Sequence, residues 1–195
     1  MKKLLNPFDY IAGWQALVIG AAGVLVSSAV AIATGQAFDA FMHICLVDIG
    51  FWHVLAQQLV CWLIFSALLY VAARIFSRSR VRALDIFGTN LFARIPLLPM
   101  LAAVWIPGRS AFADISAQST VEQLQQHFDM GLMLVYGILV VVCLVWFYWW
   151  SYWAFSVSAN LKGARSAAIF IACYLIASFS AAPVIVRLLV NPNIF

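Results

Sequence analysis

Charge is what this chain has least of. Of its 195 residues only 9% are charged and 66% are hydrophobic, whereas an ordinary soluble domain carries about 25% charged residues. The apolar residues extend along most of the chain, which argues against a soluble body with a single membrane anchor. The composition therefore predicts an integral membrane protein in which residues 1–195 form one transmembrane domain.

The four cysteines show no disulfide pattern, and recognisable catalytic motifs are lacking. Cys61, Cys143 and Cys173 fall inside apolar stretches, where a thiol behaves as a small hydrophobe, and only Cys45 lies in a connecting segment. The sequence contains no nucleophile elbow, phosphate loop or dinucleotide fingerprint. We therefore expect no disulfide framework, no cofactor and no enzymatic activity.

The net charge of +4 is basic, but the basic residues do not form a soluble basic face. The eleven Lys and Arg residues are scattered near the ends of apolar segments. This distribution is typical of residues that contact lipid headgroups rather than nucleic acid. Membrane lipids are the partners that it predicts.

Five apolar runs have the length of a membrane span. Lipid offers no partner for backbone N–H and C=O groups, so such runs must be helices of roughly 20 residues. They cover residues 13–34, 51–76, 84–106, 130–153 and 167–190. The predicted fold is all-α, a polytopic bundle of about five spans.

The orientation follows from the basic residues outside the apolar runs. One set of span ends carries Lys2, Lys3, Arg74, Arg78, Arg80, Arg82, Lys162 and Arg165. The opposite set carries only Arg109. Because basic residues favour the cytoplasmic side, the N-terminus is predicted to be cytoplasmic and the C-terminus outside.

Aromatic rings crowd the stretch 146–155. Rings that combine an apolar body with a polar group prefer the headgroup level of a bilayer. We expect the fourth span to end here, at the cytoplasmic interface, with tryptophans as anchors. The predicted anchors are Trp146, Trp149, Trp150 and Trp153. A ligand-binding platform is the alternative interpretation.

Arg94 lies near the middle of the third apolar run, beside Pro96 and Pro99. A guanidinium group at this depth costs from about 3 to over 10 kcal/mol unless water or a partner reaches it. The two prolines remove backbone donors, which should leave the carbonyl groups near Phe92 and Ile95 without their usual partners. The pattern predicts a broken helix with Arg94 facing the bundle interior.

Two interpretations of Arg94 stay open. Free backbone groups at a broken helix bind substrate in transporters, which favours a small transporter or a lipid-handling protein. Alternatively, Arg94 donates to those carbonyl groups or to Gln57 and Gln58 on the second span, and so stabilises the kink. Asp85 is a doubtful partner, because nine residues separate it from Arg94 and place it on another face of a helix.

The three histidines, His43, His53 and His127, fall on the predicted outer side with Asp129 nearby. They are the candidates for a metal site. However, His127 and Asp129 are two residues apart, which directs them to different faces of a helix, and no pair has the spacing of a zinc-binding helix. We therefore predict no bound metal.

Small residues recur along one face of the first span: Gly20, Gly23, Ser27 and Ala31. Such a face lets a second helix approach closely. It serves either packing within the bundle or contact with a second copy or another membrane protein.

The segments DIFGT (85–89) and FARIPLL (92–98), with NPF at 6–8, resemble bacterial members of the Yip family, the Ypt/Rab-interacting membrane proteins. This resemblance implies a five-helix domain of the bacterial inner membrane, without known catalysis, that organises membrane or binds a protein or lipid partner. The chain lacks the Asp-Leu-Tyr-Gly-Pro motif of the eukaryotic members. Rab binding is therefore not part of the expectation.

Overall fold

The computed structural model describes residues 6–38, 44–77, 79–108 and 129–190. After a short 3-10 turn at Pro7–Asp9, the helices and strands in these residues are α1 (Gly13–Thr34), β1 (Gln36–Phe38), β2 (Ile44–Leu46), α2 (Phe51–Phe76), α3 (Ala83–Phe92), α4 (Leu97–Ala102), α5 (Met130–Ser158) and α6 (Ala164–Val190). A 3-10 turn at Ala103–Trp105 follows α4.

Five helical spans are confirmed. Within the described ranges, five helical segments are long and apolar enough to cross a membrane, the third being Ala83–Trp105, which comprises α3, α4 and the turns that follow them. We call this segment the third span. α5 continues to Ser158 rather than stopping at Trp153. The chain then reverses through Asn160 and Gly163, both with positive φ.

The segment between α1 and α2, for which the sequence indicates no periodic structure, contains a small hairpin. β1 and β2 pair antiparallel, with Gln36 opposite Leu46 and Phe38 opposite Ile44. The side chain of Gln36 donates a hydrogen bond to the Leu101 carbonyl group at 2.8 Å. The hairpin is thereby attached to the end of the third span.

The third span is the centre of the bundle, and it packs most extensively against α1. A Cβ atom added at Gly20 would lie 2.5 Å from the backbone nitrogen of Phe92, and one added at Gly88 would lie 2.6 Å from the Gly13 carbonyl oxygen. The two backbones are therefore in direct contact. The small-residue face of α1 serves packing within the bundle.

α6 packs mainly against α2. The ring of Phe65 on α2 meets the ring of Phe170 on α6 edge to face, with centroids 5.7 Å apart. The hydroxyl groups of Tyr148 on α5 and Tyr174 on α6 are hydrogen-bonded at 2.6 Å. Aromatic contacts thus join the last span to the rest of the bundle.

The structure corrects the predicted role of Trp150. Its side chain is only 6% exposed and stacks on Phe92 of the third span, with ring centroids 5.3 Å apart. Phe8 meets both rings edge-on. Trp150 is therefore a core residue and does not lie at a lipid-facing surface.

The other predicted anchors differ among themselves. Trp149 is 46% exposed, which suits an anchor, whereas Trp146 and Trp153 are half-buried. The aromatic stretch continues around α5, and a helix directs successive residues to different sides. Composition alone therefore does not separate the rings that face lipid from those that face the third span.

Candidate polar site at the break in the third span

The two prolines break the third span without leaving the expected carbonyl groups free. In a regular helix, residues 96 and 99 would donate to the carbonyl groups of Phe92 and Ile95. Here the Ile95 N–H donates to the Phe92 carbonyl at 3.1 Å, and the Leu98 N–H donates to the Ile95 carbonyl at 3.0 Å. The expectation of free carbonyl groups is wrong, because the chain tightens into turns with hydrogen bonds three residues apart.

Arg94 lies in this tightened turn. Its backbone N–H donates to Leu91 at 3.2 Å, and its carbonyl group accepts from Leu97 at 3.0 Å. The whole residue is 4% exposed. The prediction that Arg94 faces the bundle interior agrees with this burial.

The guanidinium group is enclosed but incompletely bonded. Its Nε and Nη2 atoms are inaccessible and have no hydrogen-bond partner in the structure. The thiol of Cys61 on α2, which is fully buried, lies beside the guanidinium group. A thiol is only a weak acceptor, so it compensates little of the charge.

The two glutamines proposed as partners of Arg94 have other partners. Gln58 accepts a hydrogen bond from Ser27 at 3.1 Å and donates one to Ser28 at 2.8 Å, both on α1. The Oε1 atom of Gln57 accepts from the backbone N–H of Phe38 at 3.1 Å. Neither glutamine accepts from Nε or Nη2 of Arg94, because each side chain is held by α1 or by the hairpin.

Asp85 is not a partner either. It lies in the first turn of α3, and nine residues of helix correspond to about 13 Å along the axis. Asp85 is also the only acidic residue that the sequence places within the five spans. The spans therefore supply no carboxylate next to Arg94.

Two polar contacts that sequence reasoning missed lie on the N-terminal side of the break. Asn90 on α3 donates to the hydroxyl group of Ser66 on α2 at 2.8 Å. The indole N–H of Trp62 on α2 donates to the Phe87 carbonyl at 2.9 Å. Asn90 is the only residue of the third span with a carboxamide side chain, and this could have indicated from the sequence that it makes a polar contact. The serines carried no signal, because a hydroxyl group in a span commonly bonds to its own helix.

Two of the four metal-site candidates, Asp129 and His53, lie in the part of the chain that the structure describes. Asp129 caps α5 by accepting hydrogen bonds from the backbone N–H groups of Gly131 and Leu132, and His53 is buried in the first turn of α2. His43 and His127 lie outside the described residues. Within the described ranges, no three His, Cys, Asp or Glu side chains are grouped as a metal site would require.

Described residues line three cavities, of about 600, 370 and 710 Å³, and Arg94 lines none of these three. Among the described residues, Arg94 is thus a buried residue whose Nε and Nη2 atoms have no acceptor.

Comparisons with protein-family models, with curated proteins and with solved structures found no match to this chain. The resemblance to the Yip family stays a prediction from short motifs.

Proposed function

We propose that this protein binds an anionic ligand at Arg94 inside the membrane, as a small transporter or a lipid-handling protein would, and that it is not an enzyme. The observation that carries the proposal is the pair of enclosed guanidinium nitrogens without partners. A structural arginine that stabilised the kink would use these donors on protein acceptors. In this structure neither of the two nitrogens donates a hydrogen bond.

The chemistry of the site favours an anion. The uncompensated charge is costly at this depth, and an entering anion would relieve that cost. A guanidinium group also presents its donors in a planar fork that matches a carboxylate or a phosphate. The Nε2 atom of Gln57 is a further enclosed donor without a partner. The interior therefore offers donors and positive charge to the ligand.

A second candidate function is the one that the Yip resemblance implies: a scaffold in a bacterial inner membrane that organises membrane or holds a protein or lipid partner. The close backbone contact of α1 with the third span at Gly20 and Gly88 favours it. Such packing makes a rigid centre, which suits a scaffold better than a carrier whose helices must move.

Cys61 allows the two functions to be distinguished, because its thiol lies beside Arg94. In a variant that retains only Cys61, with Cys45, Cys143 and Cys173 changed to serine, the rate of thiol modification in proteoliposomes is measured with an anionic and a cationic methanethiosulfonate reagent. An anion site predicts faster reaction with the anionic reagent, on the order of tenfold. Adding Arg94→Gln should abolish this preference.

The matched control retains only Cys173, a buried thiol on α6, and should show no such preference. Protection of Cys61 by inorganic phosphate would indicate a soluble anion, whereas protection only by phosphatidylglycerol in the bilayer would indicate a lipid. Equal rates with both reagents, or no reaction of Cys61 in the folded protein, would contradict the anion site and favour the scaffold.

A further inference from the structure

A second polar region lies away from Arg94, at the end of the bundle where α5 stops and α6 begins. It is a cavity of about 600 Å³ whose lining includes Asn6, Asp9, Trp153 and Lys162. These residues come from the segment that precedes α1, from the last turns of α5 and from the loop that leads to α6. The tertiary structure therefore brings together groups that are far apart in the sequence.

Two residues that line this cavity each have an enclosed polar atom without a hydrogen-bond partner in the structure: Oδ1 of Asn6 and Nε1 of Trp153. The Nδ2 atom of Asn6 donates to Oδ2 of Asp9 at 2.9 Å, which defines the orientation of the amide group. Oδ1 is therefore an unused acceptor, and the indole N–H is an unused donor. A ligand that satisfies both must offer a donor and an acceptor.

The same cavity carries both signs of charge. Lys162 supplies an ammonium group and Asp9 a carboxylate group to its lining, and both side chains are exposed. A simple anion would be attracted by the first and repelled by the second. A zwitterion is complementary to both.

An apolar groove shares a lining residue with this cavity. It has a volume of about 370 Å³, lies between α5 and α6, and is lined by apolar side chains such as Val145, Phe170 and Ile171. Tyr152 lines both the cavity and the groove. From Tyr152 to Val145 the groove follows α5 for about 10 Å into the span. A hydrocarbon chain fits this geometry.

We infer that the cavity and the groove together bind one phospholipid with a phosphoethanolamine headgroup. Lys162 receives the phosphate and Asp9 the primary ammonium group, and the indole N–H of Trp153 and Oδ1 of Asn6 bond to the same two groups once a rotation of their side chains opens these enclosed atoms to the cavity. One acyl chain follows the groove between α5 and α6. This inference does not depend on the proposed function of Arg94.

The ammonium group is what sets this lipid apart from others. Asn6 needs a donor, and a primary ammonium provides three N–H bonds, whereas the trimethylammonium of phosphatidylcholine provides none. Phosphatidylglycerol provides hydroxyl donors but no positive charge for Asp9. The site should therefore select phosphatidylethanolamine over both.

Native mass spectrometry of the full chain tests this selectivity, with phosphatidylethanolamine, phosphatidylcholine and phosphatidylglycerol of identical acyl chains added to the detergent-purified protein. We expect phosphatidylethanolamine to be retained about tenfold better than phosphatidylcholine, which corresponds to about 1.4 kcal/mol. Equal retention of the two lipids would overturn the inference.

Substitutions of the charged residues that line the cavity test whether the phospholipid binds there. Asp9→Asn should abolish the preference for phosphatidylethanolamine over phosphatidylcholine, and Lys162→Gln should weaken the retention of both. Arg80→Gln is the matched control, because Arg80 is an exposed cation that lines a different cavity, and it should leave retention unchanged. Asp9 and Lys162 are exposed, so both variants should fold, which circular dichroism checks.

A substitution in the groove separates acyl-chain binding from headgroup binding. Ile171→Trp should fill the groove and lower the retention of all three lipids, because Ile171 is 56% exposed and its replacement does not disturb the core. Retention that Asp9→Asn and Ile171→Trp both leave unchanged would show that the lipid binds elsewhere.

Discussion

The third span and α5 are the two spans that differ most. In the most apolar window of the third span 72% of the residues are buried inside the protein, compared with 11% in α5. The third span also has the lowest mean hydropathy of the five spans, and α5 has the highest. The hydropathy of a span in this protein therefore follows its exposure to lipid.

This difference explains where the polar residues lie. Arg94, Asn90 and the two prolines all belong to the span that protein surrounds, where other helices cover the backbone and the polar side chains. On α5 the same residues would face hydrocarbon, which cannot satisfy them. Four substitutions test whether the centre of the bundle and its lipid-facing span behave as differently as this comparison predicts.

The largest effect is expected from Gly20→Ala, because its Cβ atom would lie 2.5 Å from the backbone of the third span. The backbones must separate, so the free energy of unfolding should fall by about 3 kcal/mol. Reversible unfolding in mixed dodecylmaltoside and SDS micelles measures this change. Gly137→Ala on α5, where a Cβ atom meets nothing within 4 Å, is the control and should not destabilise the protein.

Arg94→Met should raise the free energy of unfolding by about 2 kcal/mol, because it removes an enclosed charge and leaves a side chain of similar length. The same unfolding assay, without added anions, measures it. Arg187→Met, at an exposed position near the end of α6, should have little effect. A strong loss of stability for Arg94→Met would indicate that Arg94 has a structural role, and it would contradict the conclusion that two of its donors are unused.

Trp150→Leu should lower the free energy of unfolding by about 1.5 kcal/mol, since it removes the ring that stacks on Phe92. Trp149 is the neighbouring residue on α5 but is 46% exposed. Trp149→Leu should therefore lower the free energy of unfolding far less. Equal losses for the two variants would mean that α5 has no distinct protein-facing side here.

Ser66→Ala should cost about 1 kcal/mol, because it leaves the Nδ2 atom of buried Asn90 without its acceptor. Ser178→Ala is the matched control, since the Ser178 hydroxyl donates only to Tyr174 of its own helix. Ser178→Ala should leave the free energy of unfolding nearly unchanged. If both variants lower the free energy of unfolding equally, the hydrogen bond between Ser66 on α2 and Asn90 on α3 does not stabilise the bundle.

Much of the fold could be predicted from local pattern. α1 and α2 begin and end at the expected residues, and the third span is broken before Pro96, because a proline removes the hydrogen bond to the preceding turn of its own helix. The partner of a side chain could not be predicted this way. Gln58 and Gln57 were plausible acceptors for Arg94, yet α1 and the hairpin hold them.

The amino-acid sequence by itself determined that this chain is a membrane protein with five helical spans, because the length and apolarity of each run decide whether it leaves water. Only the tertiary structure decided which span lies at the centre, that Trp150 is a core residue, that Arg94 keeps two unused donors, and that Asn6 meets Trp153 and Lys162 at one cavity. The physical reason is that crossing a bilayer is a property of each segment, whereas contact between side chains depends on how the helices are placed against each other.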